Sequence, residues 1–164
     1  MSDTPQPRLR NVAYRTPPVI SVGGRDGNVR SGDGLLELSV ALPKEMGGPG
    51  GRPNPELLFA AGYAACFHSA VKAVASEKKV NPGASTVEAH VSIGPLAAGP
   101  GYGLSVELHV ALPQLDADLA SEVVRAAHDL CPYSNATRGN VDVRLTVTAA
   151  DAKIRAVSSG DRAS

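Results

Sequence analysis

Between Asn54 and Val74 the chain reads NPELLFAAGYAACFHSAVKAV, with apolar or small residues on nearly every face of an α-helix and one lysine, Lys72. A helix of this kind in a soluble protein has no polar side to give to water, so the stretch predicts a helix buried all round at the centre of the fold. Asn54 suits the cap, Pro55 the opening position and Glu56 the positive end of the helix dipole. The run Gly47-Gly-Pro-Gly-Gly51 before it must be a loop.

Around this helix the apolar period is two. Leu36, Leu38 and Val40 alternate with polar residues, and the same alternation recurs over Val87–Ile93, Leu104–Val110 and Val141–Val147. Val19–Val22 predicts a further strand, turned by Gly23-Gly-Arg-Asp-Gly27, so that the two early strands form a hairpin. A second helix is expected from about Ala117 to Leu130, with Leu119, Val123, Ala126, Ala127 and Leu130 on one stripe and Pro132 ending it. The following segment to Asn140, including the sequon Asn135-Ala136-Thr137, reads as a loop, and the sequon matters only in a secretory compartment. Strands, helix, strands, helix and strand make an α+β fold of mainly antiparallel sheet around a buried helix. Both ends, up to about residue 15 and from Arg155, look frayed.

A chain of 164 residues fits one domain and can bury a core without a metal or a disulfide framework. Sixteen Lys plus Arg balance sixteen Asp plus Glu, which argues against holding nucleic acid by bulk charge, and no Trp with two Phe leaves few stacking platforms. The first twenty residues carry Arg8, Arg10 and Arg15 without an apolar run. They resemble neither a signal peptide nor a membrane anchor, so a cytoplasmic protein is expected. No Gly-x-Ser-x-Gly elbow or phosphate-binding Gly-x-x-x-x-Gly-Lys loop occurs.

Cys66 and Cys131 are therefore the groups free for chemistry. Either can be a plain buried thiol, and spacing alone does not choose between a redox couple, a metal site and two sulfurs that never meet. Zinc held by Cys66, His68, His128 and Cys131 fits poorly, because residues two apart on a helix point nearly oppositely. His128 shares a face with Cys131 and can reach its thiol, but reads first as a surface histidine. His90 and His109 fall on the polar faces of their strands.

Five blocks, Gly23–Gly27, Pro43–Gly51, Asn54–Phe67, Gly101–Glu107 and Ala127–Val143 (AHDLCPYSNATRGNVDV), together resemble the organic hydroperoxide resistance proteins, a branch of the OsmC-like superfamily. The resemblance covers about residues 18–148; the flanking tails have no counterpart. It implies an OsmC-like fold as an intertwined homodimer, and a thiol peroxidase acting on organic and fatty-acid hydroperoxides without cofactor or metal. It further implies Cys66 as the attacking cysteine, Cys131 as the resolving one, Arg25 as the active-site arginine and Glu56 as its carboxylate partner. Dithiols of lipoyl type on other proteins are the implied reductants, and Phe67 and Tyr133 are candidates to line an apolar substrate pocket. Pro53 and Leu57 depart from the family's usual Thr and Gln. The superfamily's osmotic-stress branch and a non-enzymatic thiol sensor are the rival readings.

Peroxides are attacked by thiolate, and burial in an apolar helix raises a thiol's pKa, so a permanent cation such as Arg25 must face Cys66. Glu56 and Cys66 are ten residues apart, roughly 15 Å along a continuous helix, farther than a glutamate reaches. Either the helix breaks, with Gly62 the weak point, or the glutamate comes from a second chain. The expectation is a composite site: Cys66 and Cys131 of one protomer with Glu56, and Arg25 beside it, of the partner.

Overall fold

The structure, a computed structural model, describes residues 9–151 and 154–157, and the chain divides into two compact units, Met1–Asn54 and Pro55–Ser164. The expected frayed stretches before Leu9 and after Val157 lie outside the described residues.

In the first unit, β1 (Val19–Val22), β2 (Asn28–Ser31) and β3 (Glu37–Ser39) form an antiparallel sheet in chain order. The expected hairpin between Val19–Val22 and Leu36–Val40 is thus interrupted by β2, which carries a single apolar residue, Val29, and so shows no two-residue period. The turn at Gly23–Gly27 is a single 3₁₀ turn, Gly24–Asp26, with Gly23 at φ 81°. At Gly27 a Cβ would stand 1.8 Å from the Val22 carbonyl oxygen, so no other residue fits. The Asp26 carboxylate accepts from the Leu42 N–H at 3.0 Å, and the Gly27 carbonyl accepts from Val40 at 2.9 Å. These bonds fix the turn that carries Arg25.

The second unit opens with α1 (Pro55–Glu77), which ends one turn beyond the expected limit. It continues through β4 (Thr86–Pro95), β5 (Tyr102–Ala111), α2 (Ala117–Leu130), α3 (Pro132–Thr137), β6 (Asp142–Thr148) and β7 (Ile154–Val157). The sheet order is β4-β5-β6-β7, antiparallel except for β5 and β6. That one parallel pair follows from the connection: α2 carries the chain back along the sheet, so β6 starts in the direction of β5. β7 lies in the tail that its sequence marked as frayed.

The core is a layer of helix on sheet. Tyr63, Phe67, Val71 and Val74 of α1 meet Val106, Leu108 and Val110 of β5, Leu145 and Val147 of β6, and Ala120, Val123, Val124 and Ala127 of α2. α2 matches its expected bounds, and its N-cap Asp116 accepts from the N–H groups of Asp118 and Leu119. By length and composition α1 could cross a membrane, but here one of its faces is packed in the core. The expected burial on all sides is met on that face alone within the single chain; Leu57, Ala61, Ala65, Ser69, Lys72 and Ala73 are open to solvent.

Candidate active site

The two cysteines meet. Cys131 Sγ lies 3.7 Å from Cys66 Sγ, although 65 positions separate them. Cys66 is half-buried at the middle of α1, whereas Cys131 is fully buried at the junction of α2 and α3. The junction exists because Pro132 cannot donate to the α2 ladder but suits the first position of a new helix. Cys131 takes an extended ψ of 123° there, closing α2 with its N–H on the Ala127 carbonyl while its own carbonyl accepts from Asn135. The stretch after Pro132, expected as a loop, is therefore a short helix to Thr137.

Burial pushes the Cys66 thiol above the ordinary cysteine range, a backbone hydrogen bond from Tyr133 opposes that, and Cys131 beside it raises it further. In this setting burial disfavours the thiolate form of Cys66. The arrangement can make a disulfide: two thiols in contact, with about 1.7 Å to close to the bond length of about 2.05 Å.

An aromatic wall stands beside the sulfurs. Tyr133 packs on Phe59 and Tyr63 with ring centroids 6.0 and 5.6 Å away. It also crosses Gly62, one turn before Cys66, where an added Cβ would lie 2.9 Å from the Tyr133 hydroxyl. Gly62 is thus a notch for Tyr133 and no weak point, and α1 runs unbroken from Pro55 to Glu77. The buried Tyr63 hydroxyl bonds Ser134 Oγ at 3.0 Å and Thr137 Oγ1 at 3.2 Å, tying α1 to α3.

The profile of the OsmC-like protein family matches residues 48–146, more than half of the chain. The organic hydroperoxide resistance protein of Xanthomonas axonopodis pv. citri is 48% identical over 129 residues, 77% of this chain and 89% of that one. The chain belongs to the organic hydroperoxide resistance branch of the OsmC-like family. The Bacillus subtilis organic hydroperoxide resistance protein OhrB is 45% identical over 82% of this chain and 98% of its own length. A crystal structure of an organic hydroperoxide resistance protein from Elizabethkingia anophelis superposes with a TM-score of 0.79 at 45% identity, covering 85% of this chain and 98% of that one.

Of the site residues expected for this OsmC-like chain, Cys66, Cys131 and Tyr133 come together. Phe67 does not line an opening: its side chain has no accessible surface and packs between Tyr63 and His128 in the core. Arg25 lies half-buried in its 3₁₀ turn in the first unit. Glu56 is buried in the first turn of α1, and the unbroken helix keeps it roughly 15 Å along the axis from Cys66 of the same chain.

His128 is not a surface histidine. Its ring is buried with Nδ1 unpaired, and burial, then Arg138, hold it below the ordinary histidine range. His68 turns away from the sulfurs and pairs with Ser85 at 3.0 Å. Arg138 donates to the His128 carbonyl at 2.9 Å and to Asn135, bracing the α2–α3 corner. Sequence reasoning missed Gly62, Tyr63, Ser134 and Thr137 as the packing that ties α1 to α3 around the site. The one legible signal was the glycine inside a helix, which needs a packing reason.

Proposed function

We propose that this protein is a cysteine-based peroxidase that reduces organic and fatty-acid hydroperoxides to alcohols. The Cys66–Cys131 contact of 3.7 Å carries the reading. The Cys66 thiolate attacks the terminal peroxide oxygen, the O–O bond breaks, and the alkoxide leaves as the alcohol after taking a proton. Cys66 becomes a sulfenic acid; the Cys131 sulfur attacks it, the S–O bond breaks, and the departing hydroxide takes the Cys131 proton to leave as water, giving a disulfide. A dithiol of lipoyl type carried on a partner protein then reduces the disulfide by exchange. The relatives' names support the hydroperoxide as substrate, and the exposed rim of Tyr133 suits an alkyl chain. No cofactor is required by this chemistry.

Arg25 is assigned to hold Cys66 as thiolate against the upward push of burial, with Glu56 fixing the guanidinium fork. The proposed site is composite, with Glu56 and Arg25 supplied by the partner of a homodimer. Two features favour this: an unbroken α1, and a solvent-open strip of Ala61, Ala65, Ser69 and Ala73 that would let a second helix approach closely. Both units then act as one OsmC-like domain, in the cytoplasm.

The test is turnover. Supplied with a dithiol such as dihydrolipoamide, the protein should consume many equivalents of an alkyl hydroperoxide per chain. Consumption that stops after one equivalent would contradict an enzyme and leave a thiol sensor.

A further inference from the structure

We infer that the Tyr63 hydroxyl is a positioning group for disulfide formation: it pins α3 to α1 and thereby sets the distance between the two sulfurs. The inference rests on the peroxidase reading. Tyr63 stands three residues before Cys66 on α1, and Ser134 three residues after Cys131, so the pin joins the two helices one turn from each sulfur. The Tyr63 ring has no accessible surface, and its hydroxyl meets both Ser134 Oγ and Thr137 Oγ1. Thr137 Oγ1 in turn donates to the Tyr133 carbonyl at 2.9 Å, so the pin engages the turn of α3 as a unit.

The core alone does not require this hydroxyl. Phenylalanine would fill the same space and keep the edge contact with Phe59 at 5.9 Å. What the hydroxyl adds is a fixed separation between α1 and a helix of six residues, too short to hold its own position. With the pin in place, Cys131 Sγ needs to move about 1.7 Å to bond Cys66. The step balances within the site: the Cys131 sulfur attacks the sulfenic sulfur, the S–O bond breaks, and the departing hydroxide takes the Cys131 proton to leave as water. Without the pin α3 samples longer separations, and the sulfenic acid waits longer for its partner.

The experiment separates the two steps in Tyr63→Phe. Single-turnover oxidation by an alkyl hydroperoxide, quenched and read by intact mass, gives the rate of loss of the Cys66 thiol and the rate of disulfide formation. A 1,3-dione traps the sulfenic acid in parallel. The expected result is thiol oxidation close to wild type, disulfide formation slower by about tenfold, the rate equivalent of about one net hydrogen bond, and a larger trapped fraction. Ser134→Ala, which removes the nearer partner and leaves Thr137, should show the same split at smaller size. An unchanged disulfide rate in Tyr63→Phe, or equal slowing of both steps in both variants, would overturn the pin while leaving the peroxidase reading intact. A wild-type chain that forms no disulfide at all would overturn the peroxidase reading and the pin together.

Discussion

The two helices that supply the sulfurs are built by different rules. α1 is apolar or small on nearly every side, and it presents Cys66 half-buried from the middle of an unbroken rod. α2 is sharply two-sided, with Ala120, Val123, Val124 and Ala127 buried along one stripe, and it ends on a fully buried Cys131 where the backbone leaves the helix. The difference suits the two roles proposed for these sulfurs. An attacking sulfur must be reachable by substrate yet fixed in direction, which a rigid helix interior provides. A resolving sulfur must be shielded from peroxide yet free to travel a short way, which a joint between helices provides.

The largest test of this division concerns what α1 cannot supply by itself. Cys66→Ser and Glu56→Ala chains should each be inactive alone. Mixed and exchanged, they should regain activity, because one site of the heterodimer then holds Cys66 from one chain and Glu56 from the other. No recovery after verified subunit exchange would mean that each chain builds its own site.

Next in size is the cation. Arg25→Ala should slow Cys66 oxidation about hundredfold and move the pH profile of Cys66 alkylation upward, since burial already raises that thiol and the opposing charge is gone. Arg25→Lys should recover part of the rate, keeping the charge without the fork. An unmoved profile in Arg25→Ala would give the role to another group.

These residues also mark how far the sequence could be read. α2 was legible because the apolar stripe and Pro132 are local signals, although the Asp116 cap went unread, and the strands over β3 to β6 were legible from their two-residue period. β2 and β7 were not, since strands of four residues with few inward apolar positions leave no period to detect. The open face of α1 was not legible for a different reason: composition states that a helix wants burial, but not whether its own chain supplies it. Neither spacing nor periodicity chose among the fates of the two thiols, and family resemblance alone paired them. The Tyr63–Ser134 bond, across 71 positions, had no local trace.

A smaller effect distinguishes a notch from a hinge at Gly62. Gly62→Ala favours the helix by about 1 kcal/mol but drives the Tyr133 ring from its seat, so the thermal midpoint should hold or rise while peroxide reactivity falls several-fold. A lower midpoint with unchanged reactivity would show that Tyr133 has no part in the site.

The smallest effect lies behind the joint. His128 is held below its unfolded pKa, so the unfolded chain binds a proton first as pH falls; stability present above about 6.5 is lost as pH drops toward the lower folded value. His128→Phe should reduce the difference between urea midpoints at about pH 7.5 and about pH 5.5 without abolishing it, because His68 shifts in the same direction. An unchanged difference would place the acid sensitivity elsewhere.

The pairing of a reachable sulfur with a shielded one is tested most directly by the mass of the intact chain after treatment with an alkyl hydroperoxide. Wild type should lose about two mass units, the two hydrogens given up in an intrachain Cys66–Cys131 bond, while Cys131→Ser should gain oxygen on Cys66. A wild-type product that gains oxygen, or that is bridged only between chains, would contradict the account.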